Sequence, residues 1–260
     1  MTSGKQARRR RQAQARPPVS SKDRPKASPK VLLGAAAGIA GSVAAIALTL
    51  AFTGGSSSPS STTVSALPDA ASVIRLFTGI PEQGNVLGKA SAPVTMVEYV
   101  DLQCPVCRAF EAETMPTIID RYVRTGKVKV EARTIAFIGP DSERGRRAAI
   151  AASRQNRLFQ FEQLLYANQG SENSGWLDDT MVTAAAKSIP GLDTQALLNT
   201  RNSAGVVDTA KRYDAQANAD GVGGTPALYL GKTGGKLMPF SRGNAPDAAA
   251  LSAALDRALR

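Results

Sequence analysis

Apolar and polar positions divide the chain into regimes. Val31 to Phe52 is a run of 22 residues without a charge. At 1.5 Å per residue a helix of that length reaches about 33 Å, enough to cross a bilayer core of roughly 30 Å. Gly34, Gly38 and Gly41 are tolerable there, because lipid offers the backbone no competing partners. The rival is a cleaved signal peptide, whose apolar region is usually ~7–15 residues. The longer run favours an uncleaved anchor, and no cysteine follows closely enough for a lipid-modified cleavage site.

Residues 53–65 (TGGSSSPSSTTVS) are small and polar, a flexible linker that lifts the next domain off the membrane. Within residues 66–260 the periodicity switches between 2 and 3.6. Ala66 to Ile80 suits a short helix with Asp69 near its start, and Pro81, Gly84 and Gly88 suit a turn-rich lead-in. Val94 to Val100 is apolar except Thr95 and Glu98, which predicts a central strand covered on both faces. Pro93 cannot donate to a ladder and marks the strand's start.

A helix is predicted from Pro105, since proline suits a first turn. Val106, Phe110, Ile118 and Tyr122, with Met115 and Ile119, would form its apolar face, and Pro116 should kink it. Val128 to Ala132 alternates as a half-buried strand, extended by Thr134 to Ile138. Strand, helix, strand in this order is a βαβ unit.

From Pro140 to about Asn218 the pattern is helical, broken at Gly170–Gly175 and Pro190-Gly191. Four or five helices inserted into the α/β domain are expected, with Phe159, Phe161 and Trp176 as core. Beyond Gly221, a strand from Thr225-Pro226 to Leu230, a glycine turn and a strand at Lys236–Phe240 make a hairpin. A last helix starts near Asn244 and Pro246, with Leu251 and Leu255 on one face.

Charge changes this picture at one end only. Ten of the 32 Lys and Arg, but one of the 21 acids (Asp23), fall in residues 1–30; the remainder holds 22 basic against 20 acidic residues. The +11 net charge therefore belongs mostly to a basic, proline-containing tail that cannot bury enough surface to fold. Its Arg8–Arg11 run could serve RNA or anionic lipid. The plainer reading is a cytoplasmic flank that fixes topology, with the N-terminus inside and residues beyond the span outside. The nearly neutral folded part gives no electrostatic support for nucleic-acid binding.

The chain holds no histidine and two cysteines, Cys104 and Cys107. Imidazole-based catalysis is excluded, and so is a four-ligand Cys/His zinc site. The Cys-x-x-Cys spacing then leaves a structural disulfide or a redox pair. As a staple it would contribute little, on the order of 2 kcal/mol for so short a loop. Its position favours redox chemistry: a cysteine at a helix N-terminus meets free N–H groups and the positive end of the helix dipole. Such thiols ionise with pKa values of roughly 3.5–7. Cys104 is so placed, and Cys107, one turn on, should face inward as a thiol. Glu98 is a carboxylate in an apolar strand; burial would raise its pKa and let it shuttle a proton to or from Cys107. The alternative is that Glu98 simply reaches a partner or the strand end.

Glu98-Tyr-Val-Asp-Leu-Gln-Cys-Pro-Val-Cys107, the helical stretch of ~80 residues and Gly224-Thr-Pro-Ala227 together resemble the DsbA-like branch of the thioredoxin superfamily, over about Asn85 to Arg260. The resemblance implies a thioredoxin fold with an all-helical domain inserted at about 140–218, preceded here by a single transmembrane helix. It implies a cis Thr225–Pro226 peptide whose loop packs on the active-site disulfide and offers backbone hydrogen bonds to substrate. Glu98 matches the family's buried carboxylate, and Pro105 and Val106 complete the active-site loop. Strongly oxidising members often carry Cys-Pro-His-Cys; Val106 stands in place of that histidine and cannot donate charge or a hydrogen bond, which leaves the direction of net flow open.

The expected function is thiol–disulfide exchange outside the cytoplasm by a membrane-anchored monomer, needing no metal and no cofactor beyond the Cys104–Cys107 disulfide. Disulfides would pass to reduced secreted or envelope proteins, and the family implies a quinone-linked membrane re-oxidant. The alternatives are a reductase or isomerase of the same fold, or a non-catalytic thioredoxin-like binding module.

Overall fold

The computed structural model describes residues 66–260. The expected tail at 1–30, membrane segment at 31–52 and linker at 53–65 lie outside the described residues. Among the described residues no helix is long and apolar enough to cross a membrane.

The centre is β3, Val94–Val100, and all seven of its residues are buried, as its unbroken apolar run predicts. It pairs in parallel with β4, Val128–Thr134, along the whole strand, and antiparallel with β5, Ala227–Lys232. β6, Met238–Arg242, closes a hairpin with β5. On the other edge two short strands, β1 (Glu82–Gln83) and β2 (Val86–Leu87), form a small hairpin that pairs antiparallel with β4. The sheet order is β1-β2-β4-β3-β5-β6. The turn-rich lead-in at 81–88 thus carries two strands that its glycines and proline concealed. Gly84 and Gly88 both have positive φ, 61° and 102°, which fits their turn role.

β4 alternates as expected: Val128, Val130, Ala132 and Thr134 are buried while Lys129, Glu131 and Arg133 are half-buried. It ends at Thr134 and does not extend to Ile138. The reason is local: the backbone N–H groups of Phe137 and Ile138 donate to the Asp101 carboxylate, not to a neighbouring strand.

Helix α1 covers Ala70–Phe77, shorter than the predicted span, and Asp69 precedes it at φ 64° without capping it through its side chain. The predicted long helix after the redox motif is broken into α2 (Pro105–Glu113), α3 (Met115–Ile118) and a π-helical turn at Ile119–Val123. Pro116 has no N–H to continue the ladder, and the Thr114 hydroxyl bonds outward to the Pro246 carbonyl at 2.8 Å. Val106 does not join the apolar face but lies exposed in the first turn.

Five helices separate β4 from β5: α4 (Pro140–Ser153), α5 (Leu158–Ala167), α6 (Asp179–Lys187), α7 (Thr194–Thr200) and α8 (Ala204–Asp220). The pattern from Thr194 to Ala217 is two helices, split at Arg201–Ser203. Phe159 and Phe161 are buried and Trp176 is partly buried against the core. Gly145 lets α4 approach the turn between β3 and the cysteines: a Cβ there would collide with Leu177 and lie 3.0 Å from Leu102. The last helix, α9 (Ala248–Leu259), is capped by Asp247, whose side chain accepts from Ala250 N–H, and buries Leu251 and Leu255.

Candidate active site

Cys104 is the N-cap of α2, with extended backbone (φ −71°, ψ 118°), and Pro105 occupies the first helical turn. The Cys104 N–H donates to the Asp101 carbonyl at 3.0 Å, and the Cys104 carbonyl accepts from Arg108 N–H at 3.1 Å, the helix's first internal bond. Cys104 is 6% exposed and Cys107 fully buried, and the two are described as thiols. The Cys104 thiol donates to the Thr225 carbonyl at 3.3 Å. Thr225–Pro226 is cis and opens β5, so the loop expected over the sulfurs is there. Residues 121 positions apart meet because β5 lies beside β3, the strand that delivers the cysteines.

This arrangement drives the two thiols apart in acidity. Cys104 is pushed down to about 6. The Cys107 thiol bonding to its sulfur is the largest cause; burial opposes it, and the Thr225 side chain and the N–H groups of Cys107 and Val106 add to it. Cys107 moves the other way, well above its ordinary value, first through burial and then through Cys104 beside it. This split favours the thiolate form at the outer sulfur and the thiol form at the inner one. Val106 and Pro105 are both exposed on the rim.

Glu98 lies on β3 opposite Ala132 and Leu228, 2% exposed, with no partner for its Oε2. Burial, then the charge of Glu162, raises it to about 8. Glu162 on α5 is also raised to about 8, chiefly by burial, although the Thr134 hydroxyl donates to it. Glu111, one turn after Cys107, is raised well above its usual range by burial and by both other carboxyls. Sequence reasoning singled out only the first of these three acids. Among the described residues no hydrogen bond joins Glu98 to Cys107.

It also missed the residues that hold the loop before the cysteines. The Asp101 carboxylate accepts from Gln103 N–H (2.8 Å), Phe137 N–H (2.6 Å), Ile138 N–H (2.9 Å) and the Ser142 hydroxyl (2.6 Å). The Gln103 side chain donates to Ser142 Oγ and accepts from Asn173 N–H at 2.7 Å. Gln169 donates to the Leu102 and Cys104 carbonyls, and the Tyr166 hydroxyl to the Asp101 carbonyl. Asp101 and Gln103 were visible as two polar residues in an apolar approach to the motif. Their partners, 36–70 positions away, carry no sequence signal.

Known proteins match this geometry. A family model described as Thioredoxin matches residues 81–256. A "Probable disulfide bond formation protein D" of Bacillus cereus is 28% identical over 147 residues, covering 55% of this chain and 68% of that protein. The Bacillus subtilis disulfide bond formation protein D is 27% identical over 154 residues, covering 56% and 66%. The crystal structure of oxidised BdbD from Bacillus subtilis superposes with a TM-score of 0.59 at 22% identity, over 68% of this chain and 92% of that one, a likeness of fold. A thioredoxin-like oxidoreductase from Silicibacter pomeroyi gives 0.55 at 28% identity, over 74% and 98%. With its acidified N-cap cysteine above a buried partner, and with the family model spanning most of the described residues, the chain belongs to the thioredoxin family, as a thiol:disulfide oxidoreductase.

Proposed function

We propose that the protein donates disulfides to reduced secreted or cell-envelope proteins from outside the cytoplasmic membrane, held there by the apolar segment at residues 31–52. The observation that carries this reading is the split between the two sulfurs, with Cys104 near 6 and Cys107 well above its ordinary value. A substrate thiolate attacks Cys104 of the oxidised pair; the Cys104–Cys107 bond breaks and Cys107 leaves, taking a proton. A second substrate thiolate then attacks the substrate sulfur of the mixed disulfide and releases Cys104 as thiolate. Substrate ends as disulfide and enzyme as dithiol, with no cofactor beyond the cysteine pair. Release is easy because Cys104 is a stabilised leaving group.

Thr225 and Pro226 border the sulfur where a substrate backbone would lie. Glu98 serves as the internal proton carrier for Cys107, through water, since no direct bond joins them. Turnover requires a re-oxidant, for which a quinone-linked membrane protein beside a single-pass monomer is the natural arrangement. Relatives called disulfide bond formation proteins support the direction.

A second reading, reductase or isomerase, is favoured by Val106 alone, an exposed apolar residue that offers the thiolate no side-chain donor. The reduction potential separates the two: near about −120 mV the donor reading stands, and near about −270 mV it fails. Cys104→Ser distinguishes either from a binding module, because only a binding module keeps its function without the sulfur.

A further inference from the structure

Two cavities flank the outer face of α2. A cleft of about 360 Å³ lies directly beside the motif, lined by Gln103, Pro105 and Arg108 and by Gln169 and Glu172 from the helical insertion. A groove of about 490 Å³ lies further along, lined by Val73 and Leu76 of α1, by Ala112 and Pro116, and again by Arg108. Arg108 is the one side chain shared by both. It is exposed, and among the described residues it pairs with no carboxylate, as is true of about half of the arginines there. Glu172 and Asp69 line the two cavities and leave it free.

The spacing suits one kind of occupant. Arg108 is four residues and Ala112 eight residues beyond Cys104, which at 1.5 Å per residue is about 6 Å and about 12 Å along the helix. An extended polypeptide advances about 3.3 Å per residue, with alternate side chains on one face. If its cysteine sits at Cys104, its second neighbour falls at Arg108 and its fourth at the apolar groove, all three on the same face. We propose that this groove receives the partner polypeptide's extended segment, and that it selects an acidic residue two positions, and an apolar residue four positions, from the reacting cysteine. The inference rests on disulfide exchange at Cys104 and names the substrate class of that site.

The test uses the oxidised full chain and symmetric peptides of the pattern Leu-x-Glu-x-Cys-x-Glu-x-Leu, with Lys in place of Glu in a second peptide and Gly in place of Leu in a third. The rate constant for reduction of the protein by each peptide is measured in the wild type and in Arg108→Glu. The ratio between proteins cancels any effect of peptide charge on the peptide's own thiol. An exposed charge pair carries a modest preference, so Glu over Lys is expected at about threefold to tenfold at low salt, collapsing near 1 M salt and inverting in Arg108→Glu. The Gly peptide should react about threefold to tenfold more slowly than its Leu parent. An identical Glu-to-Lys ratio in both proteins overturns the groove while leaving exchange intact. If no peptide reduces the wild-type protein, exchange at Cys104 itself is overturned, and the groove with it.

Discussion

Replacing Asp101 with Asn tests whether the approach to the cysteines is held by one buried carboxylate. Its Oδ1 accepts from Gln103 N–H and the Ser142 hydroxyl, and its Oδ2 from Phe137 N–H and Ile138 N–H. Asparagine keeps the shape but turns one oxygen into an N–H donor. Whichever way the amide faces, at least one backbone N–H meets another N–H in a fully buried site. One unsatisfied buried donor costs about 1–3 kcal/mol, and the remaining bonds lose the charge that strengthened them. The expected loss is about 2–4 kcal/mol. For a folded part of this size, 1 kcal/mol moves Tm by about 2–4 °C, so a fall of roughly 5–15 °C should appear in thermal unfolding and a matching shift in urea midpoint. Ser142→Ala should cost less, and the double variant should cost less than the sum, because the two side chains share a bond. A loss below about 0.5 kcal/mol in Asp101→Asn, or strict additivity with Ser142→Ala, would refute the reasoning.

Alkylation of Cys104 by iodoacetamide should titrate with a midpoint near pH 6, and Cys107→Ala should move that midpoint upward, since Cys107 is the largest cause of the depression; an unmoved midpoint contradicts it. The stability of the dithiol form against urea, measured relative to the disulfide form, should rise with pH between about 6 and 8.5. A depressed thiol contributes stability that is complete above its unfolded value of about 8.5 and lost as pH falls through about 6. Above pH 9 the raised Cys107 erodes it again, because the unfolded chain ionises that thiol first. Glu98 acts with the opposite sign: its proton binds more tightly in the folded state, so stability present below pH 4.5 is lost as pH rises through about 8. Glu98→Gln should therefore flatten the stability profile between pH 5 and 8, as followed by urea midpoints; a parallel profile would show that Glu98 is not raised.

How much of this site could be read from the chain depended on where each interaction closes. The acidified thiol was legible because everything that lowers Cys104 except Thr225 lies within three residues: the N–H groups of Val106 and Cys107, and the Cys107 thiol. β3 was legible because a strand buried on both faces has no polar register to hide. The expected reach of the Thr225–Pro226 loop came from a resemblance, and the pairing of β5 with β3 is what delivers it. β1 and β2 were concealed because two-residue strands are too short to show a period of 2, and they exist only through pairing with each other and with β4. Val106 was misassigned because multiples of four include the exposed first turn of a helix whose buried stripe begins at Cys107. The three buried carboxyls mark the deepest limit. Glu98 stood out against an apolar strand, but Glu111 and Glu162 occupy ordinary helical positions in sequences that read as amphipathic. Only the tertiary fold puts α5 beside α2 and makes three acids share one dry interior. The chemistry of the outer sulfur is thus written locally, while the proton inventory of the core beneath it is a property of how the helical insertion docks.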